Sequence, residues 1–156
     1  MKYFRVELYD MNKGGTKGGF VSCVTAMIAR KMHIRPDTPR DEIEEIIVNS
    51  SDQDVKNMSG AVGYILADVD YPDIYLSDKQ NHFCFFTPTC FADKVYFFEV
   101  LSAYVDEFLP DCELVYCIME FTPEEILYED KHQIVVSKAA YEAQKPTPYY
   151  GFYDEG

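Results

Sequence analysis

One periodic stretch does most to limit how this chain can fold. Phe91, Val95, Phe98, Leu101, Val105 and Phe108 recur at three- and four-residue steps, which puts them on one face of a helix. The spacing predicts that helix over about 89–109, where Pro110 stops it because proline cannot extend a helical ladder. The next segment, 114–121, is apolar on both faces and reads as a strand in the middle of a sheet. An amphipathic helix leading straight into a buried strand calls for a helix layer on a sheet.

The remaining elements fit around that pair. Tyr3, Arg5, Glu7 and Tyr9 alternate with Phe4, Val6 and Leu8, the period of a half-buried strand. A glycine-rich loop over 12–19 ends it. Phe20, Val24, Met27, Ile28 and Met32 then fall at helical spacing over about 20–33; the rival reading is a second hairpin strand, since 20–25 is rich in strand formers. In Thr38-Pro39-Arg40-Asp41 the threonine is expected to cap and the proline to open a helix, with Ile43, Ile46 and Ile47 as its buried stripe. Strands are expected at 61–69, 74–76, 82–87 and 132–137. Thr122-Pro123-Glu124-Glu125 has the form of a capping box and predicts a short helix, and 138–144 a final helical turn or two. The fold class is therefore α+β (mixed α/β): a single domain over 1–144, one mostly antiparallel sheet of about five to six strands packed by three or four helices. An aromatic and proline-rich tail, 145–156, follows.

This element order resembles the acetyl-CoA-dependent N-acetyltransferase fold. The resemblance implies a cofactor loop, Arg/Gln-x-x-Gly-x-Gly/Ala, between a central strand and the next helix. The matching segment here, Phe85-Phe86-Thr87-Pro88-Thr89-Cys90, has no glycine, and Pro88 removes an amide donor.

Charge bounds the function further. Residues 1–35 carry seven Lys/Arg against two acids, a balance of +5, whereas 36–156 carry seven against twenty-five, a balance of −18. The basic part contains Lys13-Gly14-Gly15-Thr16-Lys17-Gly18-Gly19. Converging glycine amides can hold an anion, so Lys13, Gly14, Gly15, Lys17 and Gly18 form the alternative reading, a transferase-like enzyme holding an anionic ligand. No lysine follows a second glycine as a Walker loop requires, and the bland reading is a flexible connector.

Other chemistry lacks its residues. His82, Cys84, Cys90, Cys112 and Cys117 have gaps of five and four residues between the cysteine pairs, poor spacing for structural zinc, and buried thiols are expected instead. Cys23 has no motif-borne histidine base among His33, His82 and His132. Asp68 to Asp73 begins like a calcium loop but has Pro72, Asp73 and Lys79 where the loop needs a ligand, a glycine and a glutamate. No catalytic residue, metal or cofactor is expected.

The acids themselves form three groups: Asp41, Glu42, Glu44 and Glu45; Asp106, Glu107, Asp111 and Glu113; Glu120, Glu124, Glu125, Glu129 and Asp130. The plain reading is a solubilising surface. However, Asp106 and Glu107 oppose a helix dipole and call for counter-charge, either from Arg30, Lys31 and Arg35 or from a partner. The expectation is thus a non-catalytic acidic protein that binds a basic protein surface, in its strongest form an inhibitor imitating nucleic-acid charge. Glu120, Glu124, Glu125, Glu129, Asp130, Asp106 and Glu107 are the expected contacts, with Tyr128 and Tyr104 adding adhesion. Direct nucleic-acid binding is disfavoured by repulsion. No apolar run reaches the roughly 18 residues of a spanning helix, and five cysteines suit a reducing compartment, so no membrane partner and a cytoplasmic location are expected. The tyrosine-rich tail offers a route to a homodimer.

Overall fold

The computed structural model of the chain describes residues 2–144 and 148–150, apart from the side chains of 16–18 and 148–150. Strand β1 (Lys2–Asp10) is the hub. It runs in register with β4 (Cys112–Glu120) from Lys2↔Glu120 to Asp10↔Cys112. Its other side is divided between two strands. Phe4 pairs with Phe86 of β3 (His82–Phe86), while Glu7 to Asp10 pair with β2 (Gly15–Gly19). Outward from β3 lie β6 (Gln133–Ser137) and then β5 (Ile126–Glu129); outward from β4 lies β7 (Pro148–Tyr150). Every pair is antiparallel. The α+β class and the single antiparallel sheet stand as expected. Because β3 and β4 both run against β1, they are parallel to each other, and the long helix α5 (Val95–Phe108) is the crossover between them.

The larger core lies under the helices. Alternation sends Phe4, Val6 and Leu8 to that side, where they meet α1 (Phe20–Lys31), α3 (Gln53–Ile65) and α5. Phe91 is the centre of a ring cluster, 4.6 Å from Phe86, 5.5 Å from Phe98 and 5.7 Å from Phe4 between centroids. The opposite face holds a smaller core of Tyr3, Phe85, Met119, Phe121, Ile134 and Val136. Helix α6 (Lys138–Gln144) covers it with Ala140 and Tyr141.

Several local readings are corrected. Six helices are found among the described residues, more than the three or four expected. Residues 61–69 are not a strand: α3 runs through Ile65 on the stripe Val55, Met58, Ala61 and Ile65, capped by Asp52, which accepts from the amides of Asp54 (2.9 Å) and Val55 (3.1 Å). Gly60 and Gly63, which look like strand punctuation, face open space on this helix. Residues 74–76 belong to a short helix, α4 (Asp73–Ser77), rather than a return strand. Helix α2 (Arg40–Asn49) starts after an N-cap at Pro39, and Thr38 provides no side-chain cap. Helix α5 starts at Val95, after turns at Thr87 to Lys94 that leave Phe91 free to enter the core. The capping-box contacts do form, Glu125 Oε1 accepting from the Thr122 amide at 2.9 Å and hydroxyl at 3.1 Å. They close a turn into strand β5, not a helix. The glycine segment is half of a hairpin: Asp10 Oδ1 accepts from Asn12 and Lys13, Gly14 takes φ +69°, and β2 follows. These changes remove the strand order on which the N-acetyltransferase resemblance rested.

Candidate functional site

Strand β5 is an outer edge of the sheet, bonded on one side to β6, with a register shift between Ile126 and Tyr128. Among the described residues its other side has no strand partner, and such an edge is the usual template for an added strand. Leu127 and Tyr128 are 47% and 37% exposed side by side on this edge. Next to them the segment entering α4 forms the far wall of an open groove of about 470 Å³, lined by Asp70, Tyr71, Pro72, Asp73 and Ile74 together with Leu127 and Tyr128. The lining holds two carboxylates and no cation.

A buried amide fixes the two walls to each other. Gln133 is fully buried; its Nε2 donates to the Asp70 carbonyl at 2.5 Å and to Asp130 Oδ2 at 3.2 Å. Asp130 in turn shapes the β5–β6 turn, its Oδ1 accepting from the His132 amide (2.8 Å) and the Gln133 amide (3.0 Å). Tyr128 donates its hydroxyl to Asp130 Oδ2 at 3.1 Å. Burial alone would raise the Asp130 carboxyl, but these hydrogen bonds outweigh it and hold the group below the usual carboxylate range.

The expected contact residues divide sharply. Glu124 is exposed at the start of this edge. Glu125 is engaged with Thr122 and Asp130 with its turn. Glu129 lies in register with Ile134, on the sheet face away from Tyr128, and accepts from the Tyr3 hydroxyl at 3.2 Å. Glu120 is exposed opposite Lys2. Asp106 and Glu107 precede β4 at its other end, eight strand steps from Glu120, or about 26 Å at the rise of a β-strand. The two acidic groups are therefore not one patch. Cations of the chain's own α1 lie near the Asp106 group. Arg30 Nη1 donates to the Phe108 carbonyl at 2.6 Å, and Lys31 Nζ lies 3.2 Å from Asp54 and 3.8 Å from Asp52, within the field of Glu107. Tyr104, expected to add adhesion, donates to Asp54 at 3.0 Å and accepts from Asn57 at 3.1 Å.

Of the alternative anion residues, Lys13 and Gly14 are exposed, and the hairpin already takes the loop amides: Lys13 donates to Asp10 Oδ1 at 3.3 Å and Gly14 to the Asp10 carbonyl at 2.9 Å. Gly15 pairs with Asp10 in the ladder. The side chain of Lys17 and the burial of Gly18 lie outside the described residues. Of the tail, Pro148–Tyr150 add β7 to β4, while 145–147 and 151–156, to which the homodimer reading also appeals, lie outside the described residues. Cys23, Cys84, Cys112 and Cys117 are buried thiols. Among the described residues no helix is long and apolar enough to cross a membrane.

Sequence reasoning missed Leu127, Gln133 and the role of 70–74 in this groove. The acid-rich turn at Asp70 and Asp73 was visible, but nothing local joins it to a strand over fifty residues later. Comparison with protein-family models, with curated proteins and with solved structures finds no match to this chain.

Proposed function

We propose that the chain is a non-catalytic interaction module that takes a basic, extended segment of a partner protein along β5. What supports this reading is the conjunction at one edge: a strand with one side unpaired among the described residues, two neighbouring exposed apolar side chains, and a groove whose described charged lining is acidic. A partner strand adding to β5 supplies backbone hydrogen bonds, and its alternate residues meet the groove. Lys or Arg side chains then face Asp70 and Asp73, and an apolar residue covers Leu127 and Tyr128. The net charge of −13 steers such a partner and makes association fall with salt. Imitation of a nucleic acid needs a merged carboxylate face, so recognition of a single basic segment is the form adopted here.

The test is binding of an immobilised peptide of alternating lysine and valine, measured by biolayer interferometry at several salt concentrations. Asp70→Lys with Asp73→Lys should weaken binding by about tenfold or more, since each lost charge contact contributes roughly 1 kcal/mol. Asp106→Lys with Glu107→Lys, at the far end of β4, alters net charge equally and should leave the dissociation rate unchanged. Equal losses in the two double variants would reduce the effect to overall charge and refute the groove.

A further inference from the structure

The divided side of β1 opens a second site, separate from the β5 groove although Tyr71 borders both. β3 leaves β1 after Phe4, and β2 joins it at Glu7. Between these points a cleft of about 60 Å³ is lined by Arg5, Gly19, Ser22, Tyr71, Tyr75 and Cys84, among others. A single water occupies about 10–15 Å³ on the same scale, so the cleft has room for a group of a few heavy atoms.

Arg5 is the only charged residue of the lining among the described residues. Its guanidinium lies over the Phe83 ring, 4.5 Å from the centroid. Its Nε is buried without a hydrogen-bond partner among the described residues, and the nearest acid, Glu7, stands at 3.7 Å. Both Glu7 oxygens instead accept from the Tyr141 hydroxyl, at 2.8 and 2.9 Å. The guanidinium is thus ion-paired with Glu7 on one side, while its buried Nε makes no hydrogen bond among the described residues, a costly state for a mostly buried donor. Gly19 makes room for it: a Cβ there would stand 3.1 Å from Arg5 Nη2.

The rest of the wall donates too. Gly19 is the N-cap of α1, with no side-chain cap and no acid in the first turn. The first amides of a helix have no acceptor within it, and this end carries the positive pole of the dipole. Ser22 adds a hydroxyl at the third helical position. Burial raises the Tyr71 and Tyr75 hydroxyls above their ordinary value and pushes the Cys84 thiol up to about 12, so all three stay neutral near pH 7 and none brings a negative charge or a nucleophile.

The geometry points to a binding site for a compact oxyanion, the phosphate or carboxylate end of a small ligand, with Arg5 as charge partner and the α1 amides, Ser22 and the two tyrosine hydroxyls as donors. The site binds and does not react. Its test is an NMR titration of the full chain, one arm with inorganic phosphate and one with acetate, sodium chloride holding ionic strength constant. Amide signals of Phe20, Val21 and Ser22 and the Arg5 Nε–Hε signal should shift saturably, and the anion with the lower Kd identifies the ligand class. Ser22→Asp places a carboxylate at the same helix end, where it suits the dipole and preserves the fold; it should weaken binding by about tenfold or more. Arg5→Gln should abolish it. Shifts that stay linear with both anions, or a Ser22→Asp titration that matches wild type, would overturn the assignment.

Discussion

The two faces of the sheet are built on opposite lines, although the same strand supplies both. Phe4, Val6 and Leu8 of β1 enter an aromatic and aliphatic core under α1, α3 and α5. Their neighbours Arg5 and Glu7 are turned to the α6 side, where Glu7 is only 2% exposed. The helix-covered face is mainly apolar packing, and each buried ring there stabilises the fold. The α6 face buries an acid and most of an arginine at a separation of 3.7 Å, an arrangement that apolar residues of similar volume commonly equal or better in stability. The contrast teaches that burial under the helices is mainly apolar packing, whereas on the α6 face it includes an ion pair whose Arg5 also lines the cleft. Gln133 and, at the end of β1, Asp10 are the buried polar exceptions on the helix-covered side, and Gln133 ties a surface groove together.

The hardest blow to this contrast would come from its apolar side. Phe98 is fully buried and touches Phe20, Phe91 and Tyr116 edge-on; Phe98→Ala should lose about 3–5 kcal/mol in urea denaturation. On the polar side, Glu7→Ala strands Arg5 and the Tyr141 hydroxyl and should lose about 3 kcal/mol. The double change Arg5→Met with Glu7→Leu should return to within about 1 kcal/mol of wild type. Failure of that recovery would make the pair a structural necessity and erase the distinction between the faces. The smallest effect concerns the Gln133 exception. Because the native Asp130 carboxyl is held low, its contribution is complete above about pH 4, the range of unfolded aspartate, and is lost as pH falls through the lower native value. Asp130→Asn should therefore flatten the corresponding part of an acid-denaturation curve followed by circular dichroism.

Much of this architecture was readable from residue order because its signals are local. The alternation of Tyr3 to Tyr9, the helical stripe of Phe20 to Met32, the apolar run of β4 and the Phe98–Leu101–Val105 ridge each report their own burial. The failures have a common cause: a local signal with two physical outcomes. Gly60 and Gly63 punctuate a strand or sit harmlessly on a solvent-facing helix side, and only the packing of Val55, Met58 and Ile65 decides. Thr122 and Glu125 form the same hydrogen bonds whether a helix or a strand follows. The candidate sites were least legible. Asp73 meets Tyr128, and Arg5 meets Tyr75, only after the sheet has assembled. Charge bookkeeping found the acids and named Arg30 and Lys31 as possible counter-charge, but not that Lys31 pairs with Asp52 and Asp54.

The central position of β1 carries a consequence for biosynthesis. Its hairpin partner β2 is made at once, but β4, its full-length neighbour, is complete only at Glu120, about 110 residues after Asp10. At roughly 5–20 residues per second, Phe4, Val6 and Leu8 wait about 5–20 s for β4, and Phe4 also waits for Phe86 of β3 on its other side. During that interval the nascent chain keeps an open strand edge at 4–8, which only the completion of β4 closes.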